Sequence, residues 1–482
     1  MRITLGPINR VEGDVEVTLD IEAGVVRAAR VAAPLYRGFE EILLGRPAED
    51  ALAIVPRICG ICSVSQSLAA AAVLRAAREA PAAANGLAAA NVAHAAENIA
   101  DHLTHFYLFF MPDFARDSYR GRSWFVATQQ RFAAGAGTHL SATLPARARL
   151  LNTQGIIAGK WPHSLAFRPG GVTRALDLSA KLQLATIFAE FREFAESALF
   201  AAPLEEVAGL GDAAALARFA EGPAATGDFA AFLRIADDLR LRDLGRGPGL
   251  LMAAGAYAGA QGPQFPAGVF ESATGAAGPL RIETVTEDVA CAWYGDSPLD
   301  PAQAETRPDM ERPGAYSFAK APRLAGRAAE VGALARQAVA GHPLIRDLLR
   351  RDGASSVESR VVARLLEIAL LVPAAQAWIA ALRVDAPFCA ADVATRDGDF
   401  VAQVEAARGT LGHWARYRDG RIDRYQIIAP TTWNFSPRDG AGMPGPLECA
   451  LQGIAVGDAA ADHVAVQHTI RSFDPCMVCT AH

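Results

Sequence analysis

Two Cys-x-x-Cys pairs, one near each end of the 482-residue chain, restrict the possible folds and functions of this protein more than any other feature. Cys59 and Cys62 lie in RICGIC, and Cys476 and Cys479 lie in DPCMVCTAH, so that Cys62 and Cys476 are 414 positions apart. One such pair is typical of a redox dithiol, but two pairs without an evident βαβ unit make that interpretation less economical. Four thiolates at this spacing otherwise indicate a tetrahedral metal site, and ligand softness alone would favour zinc or iron.

Structural zinc is the main alternative, but the long separation weakens it. Zinc ribbons usually bring close-lying Cys pairs together to stabilise a small domain that cannot fold alone. A chain of 482 residues can build its own core. Four thiolates also carry four negative charges, which one divalent ion would leave half neutralised and two divalent ions would cancel. A binuclear site is therefore physically reasonable, although the spacing does not name its metals.

The composition excludes several partner classes. A net charge of −6 gives no reason to expect nucleic acid or an anionic membrane as partner. The N-terminus has no apolar stretch of signal-peptide length. The most apolar run, LLEIALLVPAAQAWIAAL (365–382), contains Glu367, Pro373 and Gln376, so we expect a buried helix rather than a membrane span. We expect a soluble, cytoplasmic protein.

The pattern of apolar residues predicts a mainly α protein of the α+β class. Residues 1–47 form a β-rich part, in which Val-rich alternation predicts two or three strands with turns near Gly13 and Gly24. The remainder, 48–482, is predicted to be mainly helical. Helices are expected near 64–80, 86–110, 173–199, 322–340 and 357–383, the last bent or ended by Pro373. Loops are expected at 261–280, 296–314 and 433–446.

Ordered motifs along almost the whole chain resemble the large subunit of the nickel–iron hydrogenases. Besides the two Cys pairs, they are NRVEG (9–13), YRGFE (36–40), DHLTHFY (101–107), ARGTLGHW (407–414) and PTTWN (430–434). The resemblance implies one large-subunit catalytic domain over residues 1–482, with a central bundle of long helices. It also implies that the C-terminal segment is buried at the metal site rather than forming a loose tail.

The same resemblance implies the metal ligands. Cys59 and Cys476 would be terminal nickel ligands, and Cys62 and Cys479 would bridge nickel to an iron that carries carbon monoxide and cyanide. A second site would hold Mg²⁺ between Glu40, the backbone carbonyl of Leu451 and His482. Oxygen and imidazole ligands, with waters, suit this hard cation.

The implied reaction is the heterolytic cleavage of H2 into a hydride and a proton. Cys476 is one candidate for the base, and Glu12 of NRVEG matches the family's proton-exit glutamate. Arg408 has too high a pKa for an easy base, so electrostatic support of the bound cyanides is its expected role. Asp101 matches an acid beside this arginine, and Asp474 is assigned to the same catalytic group.

One feature of the helix near 86–110 is visible without any family. His94, Asn98, Asp101 and His105 follow one face of an otherwise apolar helix. For His94 and Asn98 we expect a satisfied buried hydrogen-bond network.

Several departures from the commoner energy-conserving enzymes resemble the hydrogen-sensing, regulatory branch. Ile61 and Phe109 stand where the commoner enzymes have Val and Leu, at positions that line the gas channel near the metals, so we expect a path that admits H2 but slows O2. Further departures are Asp14, Gln66 and Leu108, each in place of His, and Ala407 in place of Pro. No peptide of the kind normally cleaved follows the terminal His, although a cleaved mature form would look the same.

The favoured function is therefore an H2 sensor with slow turnover that signals to a partner, by family analogy a histidine kinase. An energy-conserving uptake hydrogenase, which feeds electrons to a quinone or a cytochrome, is the alternative. A related respiratory-complex subunit without metals is disfavoured because all four cysteines are present.

The remaining cysteines imply a partner subunit. Cys291, Cys389 and Cys449 are isolated, and each is expected to be a small buried hydrophobe. Three scattered thiols are fewer than the four usual for one iron–sulfur cluster. Onward electron transfer would therefore require a small subunit that carries the clusters.

Overall fold

The computed structural model describes residues 1–259, 262–456 and 463–480, which are 46% helical and 18% strand. This confirms the mixed, mainly α class. The strands are β1 (Arg2–Leu5), β2 (Glu16–Glu22), β3 (Val25–Ala32), β4 (Phe167–Arg168), β5 (Gly171–Val172), β6 (Leu250–Ala256), β7 (Phe265–Glu271), β8 (Ala276–Gly278), β9 (Val285–Asp288), β10 (Ala321–Leu324), β11 (Gly398–Ala406), β12 (Gly409–Arg418) and β13 (Arg421–Ile428). The helices are α1 (Phe39–Leu43), α2 (Ala51–Ile54), α3 (Ser63–Arg78), α4 (Ala84–Thr104), α5 (Phe125–Phe132), α6 (Leu140–Ala158), α7 (Leu178–Phe194), α8 (Leu204–Ala208), α9 (Ala213–Glu221), α10 (Asp228–Asp238), α11 (Ala333–Ala340), α12 (Pro343–Asp352), α13 (Val357–Ala381), α14 (Pro430–Asn434), α15 (Pro446–Leu451) and α16 (Val464–Ser472).

The predicted N-terminal sheet is confirmed. β1, β2 and β3 form a three-stranded antiparallel sheet in chain order. Gly24, with φ +72°, lies in the turn between β2 and β3, and Gly13, with φ +78°, lies in the longer connection between β1 and β2. Both prediction and structure follow from Val-rich alternation that buries one face of each strand.

Long helices form the main core. α4 packs against α6 and α13, and α7 packs against α6 and α13. α13 begins at a capping box in which Ser356 and Ser359 satisfy each other's backbone N–H groups. This helix is long and apolar enough to cross a membrane, but 67% of its most apolar window is buried inside the protein, as expected for a core helix. It continues through Pro373 to Ala381, so of the two predicted effects of this proline, ending the helix is wrong, and bending it stays a prediction.

Three other sequence predictions are wrong or incomplete. The interval 398–428 forms a long antiparallel sheet, β11–β12–β13, inside the part predicted to be mainly helical. The interval 261–280 is not a loop, because β7 and β8 occupy most of its described part. The helix expected at 322–340 begins only at Ala333, after strand β10 and Gly332 with φ +136°. A glycine in that conformation interrupts the Ala-rich run that suggested a continuous helix.

The C-terminal segment lies against the N-terminal motif NRVEG rather than in solvent. Glu12 and Cys476 form a parallel bridge, in which Met477 N donates to Glu12 O at 2.7 Å. A Cβ atom at Gly13 would lie 3.0 Å from Val478 N and 3.2 Å from Met477 Cβ. Gly13 therefore allows the two backbones to approach closely.

A buried carboxylate fixes the helix that leads into this segment. Asp113, which is fully buried, accepts hydrogen bonds from Arg471 Nη1 at 2.7 Å and His468 Nδ1 at 3.1 Å, both on α16. It also pairs with Arg116 at 3.0 Å and with Arg10 of NRVEG. Burial opposes ionisation, but His468 and the arginine charges hold the pKa of Asp113 well below its usual range. These five residues, the Asp113 cluster, join α16 to the N-terminal motif.

Replacing Asp113 with Asn should destabilise the protein by about 3 kcal/mol at neutral pH, because it leaves buried cations without their carboxylate. Since the folded pKa of Asp113 is lowered, its stabilising effect is present above the unfolded pKa of about 4 and is lost as the pH falls below it. Thermal unfolding of wild type and variant should thus differ most above about pH 5. Asp117→Asn, which removes an exposed pair with Arg120, is the control. An equal loss in both variants would contradict the prediction.

Candidate metal centre

All four paired cysteines converge on one buried point. Their sulfur atoms lie within 4.8 Å of one another. Cys59 Sγ is 3.4 Å from Cys476 Sγ, Cys62 Sγ is 3.4 Å from Cys479 Sγ, and the sulfurs of Cys476 and Cys479 are 3.1 Å apart. None of the four residues is more than 8% exposed. The contacts Cys59–Cys476 and Cys62–Cys479 thus each join one sulfur of the first Cys pair to one sulfur of the second.

The first pair is positioned by the start of α3. Cys62 is the residue before the helix, and its N–H points to Cys59 Sγ at 3.5 Å. The buried carboxylate of Glu97 on α4 accepts hydrogen bonds from Val64 N at 2.8 Å and Ser65 N at 2.9 Å. This carboxylate supplies the N-terminal cap that the sequence of α3 itself lacks.

The second pair is held in place through backbone contacts. Asp474 adopts a left-handed conformation with φ 56°, and a 3₁₀ turn spans Met477–Cys479. Cys476 N donates to Thr431 Oγ1 of the PTTWN motif at 3.1 Å. Arg37 of YRGFE donates to the carbonyl groups of both Ile58 and Val478, and so joins the two Cys segments directly.

The four sulfurs do not favour full ionisation in the absence of cations. Hydrogen bonds from the neighbouring Cys476 and Cys479 thiols lower the pKa of Cys59 well below its ordinary value. Contact with the other sulfurs, together with burial, raises the pKa of Cys62 and of Cys476 well above it. One thiolate is thus stabilised and further ionisation is opposed, so a fully ionised cluster requires bound positive charge. The donor set fits soft or borderline metal ions.

Arg408 brings a buried positive charge to this cluster. Its guanidinium is paired with Asp101 at 2.8 Å and with Asp474 at 3.2 Å, and Nε also donates to the carbonyl of Asp474 at 2.8 Å. Burial works against the charge, but these carboxylates and the charges of Cys476 and Cys59 raise the pKa of Arg408 well above its ordinary value. The structure therefore brings Arg408, Asp101 and Asp474 together beside the sulfurs.

Glu12 of the NRVEG motif is half-buried near the sulfur cluster. Burial and the charge of Cys59 raise its pKa, while Arg408 acts in the opposite direction. Its backbone pairs with Cys476, as described above. A carboxyl group with a raised pKa beside thiolates can hold a proton closer to neutral pH than an exposed glutamate can.

The polar seam along α4 and its continuation forms a buried network, but it is not fully satisfied as the sequence predicts, because among the described residues Asn98 Oδ1 has no hydrogen-bond partner. His94 Nε2 lies 3.1 Å from Ser65 Oγ, Asn98 Nδ2 donates to Tyr257 Oη at 2.7 Å, Asp101 pairs with Arg408, and His105 Nε2 donates to the carbonyl of Arg471 at 2.7 Å. Asp101 is therefore the member of the seam that contacts the site.

A cavity of about 10 Å³ lies against the sulfurs and is lined mainly by Cys62, Cys479, Gln66, Arg408 and Thr431. Gln66 is fully buried, and within the described part of the chain neither atom of its amide has a hydrogen-bond partner. Buried polar groups are normally paired. An orphaned amide and a guanidinium beside a small cavity fit compact polar ligands on a bound metal.

A second polar site surrounds Glu40. Its carboxylate is buried and accepts hydrogen bonds from Ile427 N at 2.8 Å, from Thr306 Oγ1, and from Lys320 Nζ at 3.1 Å. Lys320 also lies 3.4 Å from Glu287, whose pKa is raised by burial to about 7. When both carboxylates are ionised, the single ammonium leaves an excess negative charge, which would fit an additional cation.

The predicted magnesium ligands are only partly placed. Leu451 is buried at the end of α15. His482 lies outside the described residues. Lys320 and Glu287 were not identified from the sequence, because no short motif links them to Glu40.

The two predicted gas-channel residues are half-buried and do not line the small cavity. Ile61 packs against the hydrophobic cluster that includes Cys59 and Cys62. Phe109 lies in the π-helical continuation of α4, and its carbonyl accepts a hydrogen bond from Arg10 Nη1 at 2.9 Å. Their role in gas access stays a prediction.

Comparison with known proteins agrees with this geometry. A family model described as nickel-dependent hydrogenase matches residues 37–117 and 126–482. The chain belongs to the nickel-dependent hydrogenases.

Its relatives are similar over their full length. It is 26% identical to the periplasmic [NiFeSe] hydrogenase large subunit of Desulfomicrobium baculatum, covering 100% of this chain and 95% of the relative. It is also 26% identical to the hydrogenase-2 large chain of Escherichia coli K12, with 97% of that relative covered. The structure of the Dm. baculatum [NiFeSe]-hydrogenase matches with a TM-score of 0.85 at 26% identity, covering 100% of both chains. The Ni-Fe-Se hydrogenase of D. vulgaris Hildenborough matches with a TM-score of 0.84 at 28% identity, again over 100% of both chains.

Membership in a nickel-dependent family favours nickel over zinc, and metal binding over a redox dithiol, at the cluster of four cysteines. A metal centre held by these cysteines would polarise H2 and accept its electrons. The protein's own residues stabilise charge at the site and can accept or donate protons. Arg408, fixed by Asp101 and Asp474, places a permanent positive charge beside the thiolates. Glu12, which is half-buried near the cluster, offers an acid–base group.

Proposed function

We propose that this chain is the large subunit of a nickel–iron hydrogenase that acts as an H2 sensor. The observation that carries the proposal is the unpaired amide of Gln66 in the cavity against Cys62 and Cys479. The commoner energy-conserving enzymes have an imidazole at this position, by the resemblance of the sequence. An amide does not titrate near neutral pH, whereas an imidazole can donate, accept or take up a proton beside the bridging sulfurs. A centre without that group is suited to slow turnover.

The proposed cofactor arrangement is the one that the family resemblance implies, and the close approach of the four sulfurs supports it. Cys59 and Cys476 are proposed as terminal nickel ligands, with Cys62 and Cys479 bridging to iron. Carbon monoxide and cyanide on the iron would fit the side of the cavity lined by Arg408, Gln66 and Thr431. Mg²⁺ is proposed beside Glu40, whose surroundings carry the excess negative charge described above.

The electron relay is proposed to lie in a small subunit. Cys291, Cys389 and Cys449 are half-buried, and the one cysteine cluster found among the described residues contains none of them. Three relatives are described as large subunits or large chains, which is consistent with a heterodimer. The signalling partner is proposed to be a histidine kinase, by analogy with the regulatory branch.

An uptake hydrogenase is the second candidate, and the relatives favour it. One relative at 25% identity is the uptake hydrogenase large subunit of Rubrivivax gelatinosus. An enzyme of that kind would turn over fast with an electron acceptor and would be expected to lose activity in air.

Infrared spectroscopy of the heterodimer tests both the nickel–iron centre and the sensor role. One CO band and two cyanide bands that shift under H2 are expected for the nickel–iron centre. For a sensor, the bands and the H2 response should be unchanged after exposure to air. A loaded sample without such bands would refute the nickel–iron assignment, and bands that change to an inactive form in air would favour the uptake enzyme.

The bulk of Ile61 and Phe109 provides a sharper test. Ile61→Val with Phe109→Leu should make the centre sensitive to air while H2 cleavage persists, because a wider path admits O2. Ile54→Val with Phe194→Leu removes equal volume from partly buried positions and is the control. Activity under H2 should be measured before and after a fixed exposure to O2. If both double variants tolerate O2 as the wild type does, the two bulky residues do not restrict gas access.

A further inference from the structure

Arg336 is a fully buried guanidinium that uses all five of its N–H donors. It lies on α11, inside the main core. Nε and Nη2 bind the two carboxylate oxygens of Glu367 at 3.0 and 2.6 Å, and Nη1 binds Glu405 at 2.7 Å. The two remaining donors bind backbone carbonyl groups, those of Ala406 at 2.8 Å and Ala407 at 3.0 Å.

These carbonyl groups belong to the hairpin turn that carries Arg408. β11 ends at Ala406 and β12 begins at Gly409, so Ala407 and Arg408 form a two-residue connection. The other side of the turn also rests on the start of α11. Gly409 has φ +128°, and a Cβ atom there would lie 2.7 Å from Gly332 N. Gly332 therefore packs against the β12 end of the turn, and Arg336, four residues later, binds its β11 end.

Ala407, the residue before Arg408, makes the turn more dependent on its contact with Arg336. Proline, the usual residue at position 407 in the resembling family, would restrict φ of the turn by its own ring. Ala407 imposes no such restriction, so the turn conformation depends on contacts with its surroundings. The hydrogen bond from Arg336 to the Ala407 carbonyl is a direct contact of this kind.

We propose that Arg336 is a positioning residue for Arg408: by holding the carbonyl groups of Ala406 and Ala407, it fixes the turn from which Arg408 reaches the metal centre. Glu367 on α13 and Glu405 on β11 hold the guanidinium of Arg336 in turn. The inference rests on the proposed role of Arg408 beside the iron ligands. It adds a residue on α11, which contributes no ligand to the centre.

The test uses Arg336→Lys in the large subunit, purified with its small subunit. Lysine keeps the charge but cannot bind both carboxylates and both carbonyl groups together. The two cyanide bands should shift or broaden, and kcat should fall about tenfold while the KM for H2 stays unchanged, because Arg408 is displaced. Arg323→Lys is the matched control. Arg323 is equally buried and binds a carboxylate together with backbone carbonyl groups, but it lies away from the turn.

A second variant separates positioning from simple stability. Ala407→Pro combined with Arg336→Lys should restore the band positions and most of kcat, because proline restricts the turn directly. If Arg336→Lys gives no loaded heterodimer, recovery of loaded protein in the double variant supports the proposal, and no recovery overturns it. Unchanged bands in Arg336→Lys, or only the loss of yield seen in Arg323→Lys, would also overturn it. A wild-type sample without cyanide bands would instead refute the proposed function.

Discussion

Replacing Cys479 with serine is expected to abolish nickel binding and H2 oxidation. Serine keeps the size of the side chain but remains protonated, so it removes one negative charge and one soft ligand from the four-sulfur cluster. The sulfur of Cys479 lies 3.4 Å from that of Cys62 and 3.1 Å from that of Cys476, so its loss interrupts both Cys pairs. Elemental analysis of the purified heterodimer should show nickel reduced at least about tenfold.

The chain contains its own control for this experiment. Cys389→Ser changes a half-buried cysteine that is not among the four clustered sulfurs, and nickel content and activity should stay at the wild-type level. Wild-type heterodimer should contain stoichiometric nickel, with iron in excess of nickel because the small subunit carries the iron–sulfur clusters. Stoichiometric zinc in place of nickel would return the structural zinc site to first position. Full nickel content in Cys479→Ser would show that this residue is not a ligand.

Replacing Glu12 with glutamine should stop turnover while leaving the metal centre intact. Glutamine preserves the shape of the side chain and cannot accept a proton. General acid–base groups typically contribute 10²- to 10⁴-fold, so kcat should fall by about 10² or more. Infrared bands and nickel content should match the wild type, because the structure assigns Glu12 backbone contacts to the Cys476 segment that this substitution preserves.

Two further variants define the result for Glu12. Glu16→Gln alters an exposed carboxylate on the following strand and should retain full activity. Glu12→Asp keeps an acid and should retain part of the activity, with an altered pH profile. Normal H2 oxidation by Glu12→Gln would show that protons leave the site by another route.

Most of the site residues that the sequence predicts lie in short motifs. The Cys pairs, Arg408 and Glu12 could be identified because each lies in a motif whose neighbours adopt a fixed local structure. Gly13 illustrates this, since its missing side chain is what allows NRVEG to lie against Met477 and Val478. In such cases the local sequence already contains the geometric requirement.

Residues that act across long separations could not be identified in this way. Glu97 caps α3 from a different helix, and Arg336 reaches the Arg408 turn from a position 72 residues earlier in the chain. Neither has a local signature, because a buried carboxylate or guanidinium is recognisable only from its partners. The sequence does not predict sheet β11–β13 for a related reason. Its strand signal is weaker than the helical periodicity of the Ala-rich segments. Strand propensity depends on packing against neighbouring strands and is weak evidence when taken alone.

The pairing of NRVEG with the Cys476 segment has a consequence for biosynthesis. Domains begin to fold while the chain is still being synthesised from its N-terminus. Cys59 and Cys62 are made 414 or more residues before their partners, so for most of synthesis the first thiol pair has no second pair to contact. During that interval two of the four sulfurs are absent, so the four-sulfur cluster can form only after the Cys476 segment has been synthesised and docks beside Glu12. Enclosure of the site is therefore a late step in the folding of this chain.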